Sequence, residues 1–261
     1  MLKIQSLSNT LSKTWISYEN QVHLCRSNTS TRNIHQLRIS TQRLEAVLTL
    51  INGLRSTHDS KHIIFMIKKV RKSLGPLRDI QVESGSLKNM RNEKIGDQKE
   101  KKFLAFFAKK KIKAKKKAIE GLREVSLKRE NSQIKKLLKK VESIESPENK
   151  KKIQSQLEEK VKSTVLKFNI QMKKTNPEIV DEIHRLRILA KKLRYQGECL
   201  NSLTGANRYD LANLKIVQKV TGKIQNDHVM LNTLDHFLSK NKKKENLKAN
   251  LLRDRVAISQ S

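Results

Sequence analysis

Two stretches of the chain are written almost alike: residues 34–48 read IHQLRISTQRLEAVL and residues 183–197 read IHRLRILAKKLRYQG. At about 100° per residue, the apolar positions of each stretch fall on one helical face. These are Ile34, Leu37, Leu44, Val47 and Leu48 in the first copy, and Ile183, Leu186, Leu189 and Leu193, continued by Leu200, in the second. A second face carries His35, Arg38 and Gln42, with Arg43 at its margin, and in the other copy His184, Arg187, Lys191 and Arg194. Core packing accounts for the leucines. It does not account for a histidine at the same phase twice, each followed three residues later by arginine. The chain reads as an internal duplication, and a duplicated amphipathic helix of this period confines it to a helical bundle.

Each copy is followed by a second repeated segment. IKKVRKSLGPLRDIQV (67–82) aligns with LKIVQKVTGKIQNDHV (214–229), so that Lys68 matches Lys215, Lys72 matches Lys219, Gly75 matches Gly222 and Val82 matches Val229. In the first copy Ile63, Ile67, Val70, Leu74 and Leu77 make the buried face, and Lys68, Arg71, Lys72, Arg78 and Asp79 lie opposite. Asp79 is expected to orient an arginine or lysine. A glycine inside a helix costs about 1 kcal/mol relative to alanine, so two at one phase point to a close helix approach or a bend. Pro76 points to a kink in the first copy. Halves related by a pseudo-twofold axis would set the two cationic ridges face to face across a basic groove or pore.

The remainder of the chain agrees with an all-α fold. It has only eight Gly and three Pro, 4% aromatics, and none of the alternation that marks strands. Helices are expected near 3–26, 32–52, 60–92, 98–130, 132–174 (broken near Pro147), 178–202, 207–240 and 243–257. Start signals come from the Ser/Thr/Asn cluster at 27–33, Asp59-Ser60, Ser146-Pro147-Glu148 and Asn176-Pro177-Glu178; breaks are expected at Asn52-Gly53, Gly96-Asp97 and Thr204-Gly205. In the lysine-rich segment 99–125, Phe103, Phe106, Phe107 and Ile112 are the expected buried side, with the lysines on a solvated face. We read one domain over 1–261, with internal repeats at about 1–130 and 131–261.

The formal net charge of +32 restricts the partner. Self-repulsion on that scale is relieved by a polyanion, so a nucleic acid, an anionic surface or a phosphate polymer is expected. No apolar run is long enough to insert into a membrane. The N-terminal stretch lacks the h-region of a secretory signal and reads as an amphipathic first helix built on Leu2, Leu7, Leu11 and Trp15. Two cysteines, Cys25 and Cys199, make no disulfide framework and suit a reduced cytoplasm. His58 and His62 have metal-ligand spacing without a supporting ligand set, and are read as surface histidines. No phosphate-binding loop, nucleophile elbow or zinc-protease signature is present, and the polar faces are nearly free of the carboxylates that would hold Mg²⁺. Binding rather than catalysis is expected, with no catalytic residue, metal or cofactor.

At these residues the sequence resembles the CHAD family (conserved histidine α-helical domain). The resemblance rests on His-x-Leu-Arg at His35 and His184, on the following cations (Arg43 in the first copy; Lys191, Lys192 and Arg194 in the second), and on Leu74-Gly75-Pro76-Leu77-Arg78-Asp79. It covers nearly the whole chain. The chain departs from the pattern where Gln42 and Glu45 replace cations, and where Thr221 and Gln225-Asn226 stand in the second glycine helix. The resemblance implies two four-helix repeats around a basic cavity that binds inorganic polyphosphate, standing alone without an attached triphosphate-tunnel domain. The residues implied are His35, Arg38, Arg43, Lys68, Arg71, Lys72 and Arg78 from the first half, and His184, Arg187, Lys191, Lys192, Arg194, Lys215 and Lys219 from the second. The setting implied is cytoplasmic, at polyphosphate granules. A basic helical nucleic-acid-binding protein is the alternative; scarce aromatics argue against it, since tolerant single-strand binders stack bases on aromatic rings.

Overall fold

The computed structural model describes residues 6–90, 98–146, 148–205 and 209–240. Among them are eight helices and no strand: α1 (Leu7–Ser27), α2 (Thr31–Leu54), α3 (His58–Met90), α4 (Gln98–Arg123), α5 (Leu127–Glu142), α6 (Lys150–Lys174), α7 (Val180–Thr204) and α8 (Leu211–Lys240). The all-α reading is borne out. The helix expected at 243–257 lies outside the described residues.

Several boundaries differ for identifiable reasons. The break expected near 131 falls at Glu124–Ser126, so the approximate repeat boundary at 130 lies inside α5. Arg26 closes the end of α4, donating to the carbonyls of Leu122 at 3.0 Å and Val125 at 2.6 Å. α2 runs through Asn52-Gly53 instead of ending there, and the stem of Lys160 from α6 packs where a Cβ on Gly53 would stand, 3.4 Å away. α3 is continuous through Pro76. Asn176-Pro177-Glu178 forms a turn ahead of α7, with the Glu178 amide bound to Asn176 Oδ1 at 2.9 Å. Gly205 does end its helix, in the left-handed region at φ 67°. Caps at Ser6 and Ser30 accept from the amides of Asn9 and Asn33. The α1 amides of Leu7 and Ser8 also meet the Glu145 carboxylate from the α5–α6 connection, a helix-end anion that is distant in sequence.

α2 and α7 lie at the centre. Each packs on the other, on the helix before it (α1 and α6) and on the helix after it (α3 and α8). This neighbourhood is compatible with two related halves. The buried side chains of all eight helices form one contiguous cluster. The apolar faces read from the duplicated segments are inside, from Ile34 and Leu37 to Ile183 and Leu186, with Leu189 half-buried against them. In α4 the buried stripe is Phe103, Phe107, Ala114, Ala118 and Leu122, whereas Ile112 is 71% exposed. Nine residues separate Ile112 from Phe103, which at about 100° each places it on the opposite side. α4 crosses α3 tightly at Gly121, where a Cβ would fall 2.1 Å from Ser73 Oγ. Cys25 and Cys199 are free and buried.

α5 meets α1 over a polar contact that affects stability. Glu130, in the first turn of α5, is 2% exposed, and neither carboxylate oxygen has a hydrogen-bond partner. Burial raises its carboxyl to about 7, against the opposing pull of Arg26. The folded state therefore holds a proton that the unfolded chain releases between its ordinary value of 4.5 and about 7. Stability must fall as pH rises through that window and level off above it, by about 3 kcal/mol in all. The Glu130→Gln variant should lose this dependence. Thermal unfolding from pH 5 to 8 should show the wild type dropping by several degrees relative to the variant, and parallel curves would refute the assignment.

Candidate functional site

The polar stripes of α2 and α7 open into one trough, walled by α3 and α8, that divides into two basins. The inner basin, about 520 Å³, is lined by His35 and Arg38 of α2, Arg78 of α3, His184, Arg187, Lys191 and Arg194 of α7, and Lys215 and Lys219 of α8. The outer basin, about 780 Å³, lies between α2, α3 and α7 and receives Lys68, Arg71, Lys72 and Lys192. Arg38, Gln42, His184, Arg187, Lys191 and Tyr195 border both and form their junction. The trough thus gathers thirteen of the fourteen cations and histidines singled out in the sequence. Arg43 is the exception: it pairs with Glu198 at 3.4 Å outside both basins. Its counterpart in the second copy, Lys192, does line the outer basin.

The repeated glycines have a reason in this geometry. A Cβ on Gly75 would lie 3.7 Å from Arg38 Nη1, and a Cβ on Gly222 would lie 3.4 Å from Arg187 Nη2. In each half the glycine helix makes room for the arginine that follows the histidine. Arg38 uses that space to reach across α3 and donate to the carbonyl of Arg71 at 2.9 Å. Arg187 Nε, buried beside Gly222, has no hydrogen-bond partner. The histidines differ more than their repeat suggests. His184 Nδ1 is 2.9 Å from Gln225 Oε1. His35 is held below the usual imidazole range by burial first, then by Arg78, Arg38 and Lys191.

The strongest perturbation is at Lys191. Burial comes first, followed by the charges of Arg187, Arg38, Arg194 and Arg71; together they lower its ammonium to about 7. Lys192 is lowered too, by burial and by Lys167 and Lys160 of α6, two lysines outside the repeated segments. The expectation of nearly acid-free faces needs correction. Glu45 pairs with Arg71 at 2.6 Å and Lys68 at 3.2 Å, so those two cations are already partly neutralised. Asp79 and Glu83, one turn apart on α3, line the inner basin. Solvent reaches Asp79, yet the crowding protein around it raises its carboxyl against the pull of Arg38, Lys110 and Arg187. Glu83 is 3% exposed and is likewise raised by burial; the Thr233 hydroxyl donates to it at 3.0 Å and accepts from Lys110 at 2.7 Å. Position 83, four residues after Asp79, was the available signal for it. Gln42, Gln218, Gln225 and Asn226 complete the polar lining.

Among the described residues, no group of three or more His, Cys, Asp or Glu could hold a metal ion, and no helix is long and apolar enough to cross a membrane. The rings of His58 and His62 stack with centroids 6.3 Å apart, outside both basins.

A family model for the CHAD domain matches residues 12–245. A crystal structure of the CHAD domain from the plant Ricinus communis is similar with a TM-score of 0.68 and 17% sequence identity, covering 91% of this chain and 81% of that one. At that identity the likeness concerns the fold. A comparison with curated proteins finds no match.

Proposed function

The chain belongs to the CHAD domain family, and on that premise we propose that its trough binds inorganic polyphosphate without transforming it. One observation carries the reading: Lys191, at the junction, has Arg187, Arg38, Arg194 and Arg71 as its charged neighbours. Cations from α2, α3 and α7 converging this closely repel one another, and a bound polyanion turns that repulsion into attraction. Arginine offers forked donors and lysine a mobile point charge, each forming charge-assisted bonds with phosphate oxygens. The unpartnered Arg187 Nε supplies one such donor. Tyr195 is the aromatic residue bordering the basins, and the Arg194 guanidinium already covers its ring at 4.4 Å from the centroid. A ligand of phosphates alone needs no stacking platform; a run of nucleotides does. Storage or regulation at polyphosphate granules in a reduced cytoplasm is the setting we propose.

The test is competition between long-chain polyphosphate and single- or double-stranded nucleic acid, matched in charge, at physiological salt. Polyphosphate should win, with log affinity falling steeply against log salt, by roughly 0.7 per phosphate contact as for single-stranded nucleic acids. Equal or preferred binding of RNA or DNA would reject the reading.

A further inference from the structure

The two basins are not equivalent. The inner one scatters Ile39, Val82 and Val229 among charged groups and carries Asp79 and Glu83, whereas the outer one has an apolar flank beside a buried amide. Ala46 of α2, Ile64 of α3 and Ile188 of α7 line it, and Ile188 is 51% exposed in the middle of a cationic surface. Burial in the core does not explain an isoleucine there. Gln196 adds a second observation. It lines the same basin, is 1% exposed, and neither its Oε1 nor its Nε2 has a hydrogen-bond partner. Leaving a buried amide unpaired costs about 1–3 kcal/mol, a cost that a ligand or an ordered water removes by completing the bonding. The neighbouring polar groups are occupied: Asn52 Oδ1 accepts from Ser60, and the Thr49 hydroxyl donates to the Glu45 carbonyl. An open amide offers one acceptor and two donors side by side.

We propose that the outer basin holds the nucleoside end of a nucleoside oligophosphate, with its base between Ile64 and Ile188 and paired to the Gln196 amide, and its phosphates on the Arg38–Lys191–Arg187 junction. The inference rests on the phosphate-binding reading of that junction and adds a second ligand class to it. A flat base carries donors and acceptors on its edge and two apolar faces, which matches an amide between aliphatic walls. Lys191 and Gln196 are five residues apart on α7, a rise of about 8 Å, so the amide and the phosphate-binding cations form two ends of one pocket. The basin's volume of about 780 Å³ is within the usual range for such ligands. One base at the end of a phosphate chain needs one such pocket; a nucleic acid would need a succession of them.

Titration calorimetry with adenosine triphosphate, guanosine triphosphate and tripolyphosphate tests this. Tripolyphosphate has the greater negative charge, so electrostatics alone ranks it first. The expected result is the reverse, with at least one nucleoside triphosphate binding about fivefold more tightly. Gln196→Leu fills the same volume without an unpaired amide, and should melt no lower than the wild type. Ile188→Ser changes an exposed position. Each variant should remove the nucleoside's advantage while leaving tripolyphosphate affinity unchanged. Tripolyphosphate binding as tightly as the nucleotides, or variants that leave the ratio intact, overturns this inference and spares the polyphosphate reading. Failure of every phosphate chain to bind overturns both.

Discussion

Reversing the charge of Lys191 and Arg187 together, to glutamate, is expected to weaken polyphosphate binding by more than about a hundredfold at physiological salt. Bonds between charged groups and phosphate contribute about 1.5–3 kcal/mol each, and two would be replaced by repulsion. The loss is not expected to come from unfolding. Reversal at Lys191 relieves repulsion among the arginines, which offsets the attraction for Asp79 that is lost at Arg187, and a thermal melt of the variant checks that it stays folded. The same two reversals at Lys113 and Lys116, exposed on α4 outside both basins, should cost only a few-fold. If the α4 reversals weaken binding as much as those on α7, the lysine-rich exterior is the binding surface and the trough is not.

The second large effect is on pH dependence. In the free protein the Lys191 ammonium titrates at about 7. A polyanion on the junction reverses the field there and returns it toward the ordinary lysine value near 10.4. Binding then takes up a proton at any pH between those two values. Affinity is highest below pH 7 and declines as pH rises, by about tenfold from pH 6 to 8. His35 adds to the slope in the same direction, because its imidazole too is depressed in the free protein. Lys191→Arg keeps the charge at all these pH values and should flatten most of the decline. A His35→Gln/His184→Gln double variant should keep most of it. If instead the histidine variant flattens the profile and the arginine variant does not, the proton is taken up on imidazole. Measured affinities at pH 6, 7 and 8 for the three proteins decide between them.

Which group takes up the proton depends on the surroundings of each side chain; which face a side chain occupies does not. Phase along a single helix was enough to separate Ile34, Leu37, Leu44 and Leu48 from His35 and Arg38, and to separate Ile183 and Leu186 from His184 and Arg187. Helical period is a local property that each segment carries with it. The likeness of the two segments was legible for the same reason, and with it the expectation that their cationic ridges face one another. Composition was enough to exclude strands, and net charge to nominate a polyanion.

What one helix faces on another depends on packing, and there the sequence was silent. Arg43 and Lys191 both looked like members of a ridge. Arg43 pairs with Glu198 of α7 outside the basins, while the approach of α2 and α3 to α7 surrounds Lys191 with four guanidinium groups. The glycines were recognised as a spacing device, but the side chains they accommodate, Arg38 and Arg187, come from other helices. Glu45 departs from the cationic pattern of its helix, and its partners, Lys68 and Arg71, stand on another helix. Gln196 could not be picked out as an unpaired amide until every neighbour had been placed around it. Period, phase and charge are properties of a segment alone, so they can be read along the chain. Desolvation and the field at a side chain are sums over residues distant in sequence, so only the tertiary structure sets which of the many cations is the proton-sensitive one.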